Sequence, residues 1–424
     1  MGKAQRVSLS MGWVSDLLAA VQEAQPVKSV AVLARVLREQ LSAEEVTFLI
    51  TDFAGDAVVR LTGSTEQGGS IAPEPIALPG TVYEQVIRSQ QTWVSTEGLG
   101  DAEAGRGDTK VVAPVTDRGD AIGLLELTLP TPPDRDTLER ITEATRVLAY
   151  AVVVNRRFTD LYEWGRRTTR MSLAAEIQHR LLPESYTCEA GPFIIAGSLE
   201  PAADVGGDTF DYILNGHGLN MTLTDAMGHN VRAAQLATVV LAAVRNARRA
   251  GLRLVAQAEA ANAAVFNHAV HEHRAVLDQT AQVTTALAKH GAQAMVTGQL
   301  LWVEFDTGRA LFINAGHVWP LLLRNGHVDE VIPVVDLPFG VSANAEYHAQ
   351  SLDLRPGDRL FLLTDGMLEP HGHEQVLHRL IRETGTLHPR EAARALTQSV
   401  MQASDSNPRD DATVLCLDWP SPEK

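Results

Sequence analysis

PAADVGGDTFDY, residues 201–212, sets Asp204, Asp208 and Asp211 around the pair Gly206–Gly207. Glycine reaches backbone angles that other residues avoid, and aspartate favours turns and helix starts, so the stretch alone reads as a solvated turn. It acquires chemistry only if other acids meet Asp208 in space. Such acids follow downstream. Asp225 comes after the strand-like GLNMTLT, Asp365 after the strongly apolar RLFLLT, and Asp410 with Asp411 just before the strand-like VLCL. Strand ends of one sheet converge even when far apart in sequence, so these acids can share one pocket.

Unpaired carboxylates in a small space repel and raise one another's pKa. Cations resolve the conflict. No Cys/His set at zinc spacing is present, and an all-oxygen donor set selects a hard ion, Mg²⁺ or Mn²⁺. So many aspartates imply two ions, which at about 3.5–4 Å separation would activate a water and neutralise a phosphoryl group.

Composition bounds the remaining readings. The chain has 424 residues, of which 45% are hydrophobic, enough for two or more domains with substantial cores. Its net charge of −16 argues against nonspecific nucleic-acid binding, which depends on lysine and arginine against phosphates. No apolar run approaches the roughly 20 residues that cross a bilayer, MGKAQRVSLS lacks the apolar segment of a secretory signal, and MGKAQR lacks the hydroxyl residue of a myristoylation site. The expectation is a cytoplasmic protein without membrane association. Cys188 and Cys416 are read as reduced, buried thiols.

The pattern is α+β and divides into residues 1–132, 133–182 and 183–424. In the first part a helical pattern through VKSVAVLARVLREQL leads to EEVTFLITDFAGDAVVRL, two β-rich runs around a Gly-Asp turn, and KVVAPVTDRGDAIGLLELTL repeats that design around Asp117–Asp120. This order of helix, hairpin, long connection, hairpin and helix, with Gly119 and Gly123 in the last hairpin, resembles a GAF sensor domain over roughly residues 25–150. The resemblance implies a small-molecule sensor or a ligandless dimerisation module, hence a homodimer. Its ligand is unknown, and with no cysteine before Cys188 a thioether-linked bilin has no support.

From Asp134 to Leu182 no proline intervenes, and Leu138, Ile141, Leu148 and Val152, then Leu173, Ile177 and Leu181, keep one face apolar. The expectation is a long helix that serves as a connector or a dimer-forming coiled coil, with Gly165 a candidate interruption. Arg156, Arg157, Arg166, Arg167 and Arg170 are read as a solvated helix face.

The ordered set EIQHRLLP, PAADVGGDTFDY, TDAMGH, INAGHVWPLLL, LPFGV, LFLLTDGMLEP and RDDAT resembles the bacterial SpoIIE or RsbU type of PPM (type 2C) protein serine/threonine phosphatase across residues 171–418. That resemblance implies a C-terminal αββα sandwich. It implies that Asp225 bridges two metals with the Ala226 carbonyl beside it, that Asp365 and Asp410 complete the shell, and that Asp208 holds the second metal directly or through water. Asp411 is the alternative to Asp410. A metal-activated water, rather than a side-chain nucleophile, would attack phosphoserine or phosphothreonine. The implied substrate is a phosphorylated anti-sigma-factor antagonist, and Glu176–Pro183 would belong to the regulatory helices that position the metal loops.

Other polar residues are assigned quieter roles. His229 and His317 are read as structural hydrogen-bonding groups, Gly228 and Gly366 as points where the backbone passes close to the metals, and His268, His271 and His273 as a solvated helix face. Glu369 is read as touching the Asp365 motif only through its loop. Asn230 stands where the resembled motif commonly has glycine, and no counterpart is identifiable for the phosphate-holding arginine of eukaryotic type 2C enzymes. Residues 255–295 match poorly and are assigned to substrate or partner specificity. Two other readings use the same acids: a phosphatase-shaped scaffold without turnover, and a carboxylate-metal nuclease or nucleotidyl cyclase.

Overall fold

The computed structural model describes residues 3–61, 74–95, 108–168, 171–201, 206–228, 230–277, 294–368, 374–404 and 408–419. The chain divides into two compact units, Met1–Arg170 and Met171–Lys424. Among the described residues no helix is long and apolar enough to cross a membrane.

The first unit is built on one antiparallel sheet of β1 (Glu45–Thr51), β2 (Ala57–Leu61), β3 (Pro75–Ala77), β4 (Trp93–Val94), β5 (Thr109–Asp117) and β6 (Asp120–Leu129), in the order β3-β2-β1-β6-β5-β4. The β5–β6 hairpin turns through Arg118 and Gly119 at φ 46° and 82°, the double left-handed geometry that matches strand twist. Helices Lys3–Glu23, Ser29–Leu41 and Arg135–Asn155 cover one face, burying Leu17, Leu33, Leu37, Ile141 and Leu148 against Phe48, Ile50 and Leu127. Helix Val82–Ser89 covers part of the other.

The expected long connecting helix is instead a succession of short ones. Asp134 caps the helix Arg135–Asn155 by accepting from the Thr137 backbone N–H at 2.8 Å. A 3-10 turn, Arg156–Phe158, then runs into extended backbone at Thr159, followed by helices Leu161–Arg166 and Leu173–Leu181. The stripe Ile141, Leu148, Val152 is consumed in the core of the first unit. Gly165 lies inside its helix, where an added Cβ would sit 2.8 Å from Ile50 and Leu61 side-chain atoms, so it permits close packing and does not break the helix. The arginines share no single face: Arg166 stacks over Phe53 and Arg157 over Phe158, while Arg170 lies outside the described residues.

The second unit is a sandwich. One sheet contains β9 (Thr209–Leu214), β10 (Gly218–Ala226), β11 (Val296–Glu304), β12 (Arg309–Ala315), β15 (Val335–Asp336) and β16 (Gln350–Asp353). The other contains β7 (Thr187–Glu189), β8 (Ile194–Glu200), β13 (Leu321–Arg324), β14 (His327–Glu330), β17 (Asp358–Leu363) and β18 (Ala412–Trp419). Between them Phe193, Phe210, Leu301, Phe312 and Leu415 are almost fully buried. Helices Asn230–Arg249 and Leu254–Leu277 pack on the outside of the first sheet, and Glu374–Glu383 and Pro389–Ala403 on the outside of the second. With both faces of each central strand covered, near-continuous apolar runs such as RLFLL replace the alternation of a half-exposed strand.

Cys416 is buried within the second sheet, where loss of hydration pushes its thiol up to about 12; Cys188 is only half-buried, against the expectation of burial. His268 is likewise half-buried rather than solvated, His271 is exposed, and the side chain of His273 lies outside the described residues.

Candidate metal centre

Side chains alternate across a strand, and that alternation selects which acids face the space between the sheets. On β10, Leu219, Met221 and Leu223 point into the inter-sheet core, and Asp225 is the next position on that face. On β17, Leu360 and Leu362 do so, and Thr364 follows in register. On β18, Leu415 and Leu417 do so, which places Thr413 and Asp411 on the same face at its start. Asp208 precedes the inward-facing Phe210 by two. One end of the sandwich therefore collects acids separated by up to 203 positions (411 − 208).

Asp208 is 2% exposed. Its Oδ2 accepts from Thr364 Oγ1 at 2.7 Å and Thr413 Oγ1 at 2.6 Å, and Thr364 Oγ1 itself accepts from the Thr413 backbone N–H at 3.0 Å. Burial, then the charges of Asp225 and Asp411, hold its carboxyl well above the usual range against those two hydrogen bonds. Asp225 is pushed up to about 7 by burial and by the charges of Asp365, Asp410 and Asp411. These shifts register acids that are withdrawn from water and crowded together.

The neighbours Asp410 and Asp411 separate in the structure. Asp411 is 1% exposed; its Oδ2 accepts from Gln178 Nε2 at 2.6 Å and its Oδ1 from the Gly206 backbone N–H at 3.1 Å. Asp410 is half-buried, and its Oδ1 accepts from the Asp411 backbone N–H at 2.8 Å. Asp365 is exposed at the start of a 3-10 turn, Asp365–Met367.

The glycines of the opening stretch are explained by approach distance. A Cβ on Gly207 would lie 2.3 Å from the Ala226 carbonyl oxygen, and one on Gly206 2.5 Å from the Asp411 carboxylate. A Cβ on Gly366 would lie 2.0 Å from the Asp411 carbonyl oxygen. Nothing lies within 4 Å of a Cβ placed on Gly228, whose φ of +106° is one that side chains rarely adopt. Asp211 belongs to a different interaction, paired with Arg245 at 2.9 Å and Arg248 at 3.0 Å. Asp204, His229 and Glu369 lie outside the described residues, as does the side chain of Asn230.

Gln178, Thr364 and Thr413 were not singled out from the sequence. Gln178 also donates to the Asp208 backbone carbonyl at 2.7 Å, so one side chain from the helix Leu173–Leu181 ties the Gly-Gly-Asp loop to Asp411. The parity of the threonines with buried leucines was the available signal. Gln178 carried none that would separate it from a surface glutamine.

His317 spans the two sheets. Its Nδ1 lies 2.7 Å from Thr297 Oγ1, and Thr297 pairs across the ladder with Asp225. Nε2 lies 3.0 Å from the Leu363 carbonyl, which only accepts, so the neutral ring donates from Nε2 and accepts at Nδ1. Burial lowers its pKa to about 4, with the Leu363 bond opposing.

The candidate donors, Asp208, Asp225, Asp365, Asp410 and the Ala226 carbonyl, are all oxygen, as hard divalent ions require. Among the described residues, however, no three His, Cys, Asp or Glu side chains already close on one point as a metal cage would. The fit is therefore one of chemistry and crowding: Asp225 experiences three neighbouring carboxylates, and Gly207 leaves the Ala226 oxygen approachable.

Residues 215–420 match the family model of stage II sporulation protein E (SpoIIE). This segment belongs to the SpoIIE family. That is the PPM-type group which the motif order resembles. Solved structures similar to the SpoIIE-type region include the RsbU and RsbW domains of a Mycobacterium tuberculosis protein, 22% identical over 57% of this chain with a TM-score of 0.43. This chain spans 63% of that one. The SiaA PP2C domain of Pseudomonas aeruginosa is 23% identical over 57% of this chain and 92% of its own, with a TM-score of 0.44. The PP2C phosphatase domain and regulatory fragment of Bacillus subtilis SpoIIE is 14% identical over 80% of this chain and 86% of its own, also at 0.44.

Proposed function

We propose that this chain is a divalent-metal-dependent protein serine/threonine phosphatase. The observation that carries the reading is Asp225, half-buried at the inner edge of β10 within the SpoIIE-type segment and pushed up to about 7 by loss of hydration and three other carboxylates. Asp225, Asp365 and Asp410 with the Ala226 carbonyl would hold Mn²⁺ or Mg²⁺, two ions in all, with Asp208 serving the second. When bound, such ions neutralise phosphoryl oxygens and lower the pKa of water.

The chain's own residues prepare the site. Thr364 and Thr413 orient Asp208, Gln178 fixes Asp411 against the Gly206 loop, and the bare Gly207 keeps the Ala226 oxygen clear. The motif order supports a phosphorylated anti-sigma-factor antagonist as substrate, and the GAF-like pattern supports a sensor role for the first unit, with dimerisation through it. A cytoplasmic location accords with this pathway.

A non-catalytic scaffold is the second reading. It is favoured by one observation, the absence of a closed three-residue metal group among the described residues. Phosphate release from phosphoserine and phosphothreonine proteins, titrated with Mn²⁺, separates the two. Metal-dependent release supports the enzyme, while binding of the phosphoprotein with no release at any Mn²⁺ concentration supports the scaffold.

A further inference from the structure

A cavity of about 210 Å³ lies at the metal-centre end of the sandwich, beneath the loop that crosses from β12 to β13 and beside the helix Glu374–Glu383. Two of its walls adjoin the acids. Leu363 and Leu368 flank Asp365 in sequence, and His317 is hydrogen-bonded to Thr297, the residue paired across the ladder with Asp225. Leu321 and Leu377 add apolar wall, Glu330 and His378 add polar groups, and Trp319, 40% exposed, stands where the lining meets solvent.

Size and polarity restrict the occupant. An apolar cavity of about 150 Å³ accepts a benzene ring, so this one has room for a ring with a substituent. One lining group needs a partner: His378 Nε2 is buried and has no hydrogen-bond partner among the described residues. A buried polar atom left unsatisfied destabilises the fold, and a hydroxyl or ring N–H on the occupant would relieve that. The surface beside Trp319 suits a protein partner. The Val331 backbone N–H donates to the Pro320 carbonyl at 2.8 Å, and this tethered segment continues into Ile332 and Val334, 67% and 62% exposed.

We propose that the cavity is a specificity pocket for an aromatic side chain with a polar tip, of the tyrosine kind, carried by the protein substrate a few residues from its phosphorylated serine or threonine. The proposal rests on the phosphatase reading above. It assigns discrimination to His378, Trp319 and the leucine lining, none of which is among the candidate metal ligands.

The test uses the full chain, phosphoserine peptides with Tyr, Phe or Ala scanned through the flanking positions, and p-nitrophenyl phosphate as a substrate that carries no flanking residue. At one position Tyr should raise kcat/KM about tenfold over Ala, a difference of ~1.4 kcal/mol, with Phe between them. Trp319→Ala should erase the preference for Tyr over Ala, and His378→Phe that for Tyr over Phe. Affinities of the unphosphorylated peptides, measured in chelator, should follow the same order. Equal rates and affinities for all three peptides would overturn the pocket, as would variants that lower peptide and p-nitrophenyl phosphate turnover in equal proportion. Tyr-dependent affinity lost in Trp319→Ala, with no turnover of any substrate, would retain the pocket and remove the phosphatase reading.

Discussion

Gln178 and Asp411, 233 residues apart, meet through a 2.6 Å hydrogen bond from Nε2 to Oδ2 with both side chains buried. The same amide nitrogen holds the Asp208 carbonyl at 2.7 Å, so a helix that precedes the sandwich strands sets the spacing between two acid loops. Groups that orient metal ligands typically alter affinity by about 10–100-fold when removed. Gln178→Leu should therefore weaken Mn²⁺ binding by about that factor. Calorimetric titration checks it, and unchanged affinity would reduce Gln178 to a packing residue.

Gly207 faces a harder constraint, since even a methyl group would lie 2.3 Å from the Ala226 carbonyl oxygen. The backbone must yield, and a misplacement of about 1 Å can cost on the order of 100-fold in rate. Gly207→Ala is expected to lose at least that much phosphate release while keeping a native circular dichroism spectrum. Activity within twofold of the unaltered chain would contradict the close approach.

His317 should make stability pH-dependent. Its pKa falls from 6.5 to about 4 on folding because the buried site disfavours the imidazolium. Between those values the unfolded chain binds the extra proton, so this contribution is complete above about pH 6.5 and is lost progressively as pH falls toward 4. The shift corresponds to up to about 3 kcal/mol. His317→Gln should be less stable at pH 7 but should lose less between pH 7 and pH 5 in urea melts. Parallel losses in both proteins would refute the role.

Asp211 tests whether the aspartates of the opening stretch do one job or two. It is buried beside Arg245 and Arg248, and removing one member of such a pair leaves buried charge uncompensated at about 3–5 kcal/mol. Asp211→Asn should lower the urea midpoint substantially while leaving Mn²⁺ affinity within twofold. A large loss of metal affinity with unchanged stability would place Asp211 in the site instead.

Much of this arrangement was legible before the fold was known, for reasons that differ by residue. The apolar runs before Asp225 and Asp365 marked strand ends, and the period of two sends Leu223 and Asp225 to one face. The division of labour between Asp410 and Asp411 was not legible, because adjacent aspartates differ only in what the fold brings to them: Gln178 and the Gly206 amide for one, a more open position for the other. Helix 135–155 misled for a physical reason as well. An apolar stripe looks the same whether it meets a second chain or its own sheet, and here Ile141, Leu148 and Val152 meet the sheet of the first unit.

Manganese titration of the full chain, followed by calorimetry alongside phosphate release from a phosphoserine protein, bears most directly on the claim that these carboxylates gather around hard cations. The unaltered chain should bind about two ions and release phosphate only with them, and Asp225→Asn should lower both affinity and turnover by at least about 100-fold. Manganese binding and phosphate release that are the same in Asp225→Asn as in the unaltered chain would contradict it.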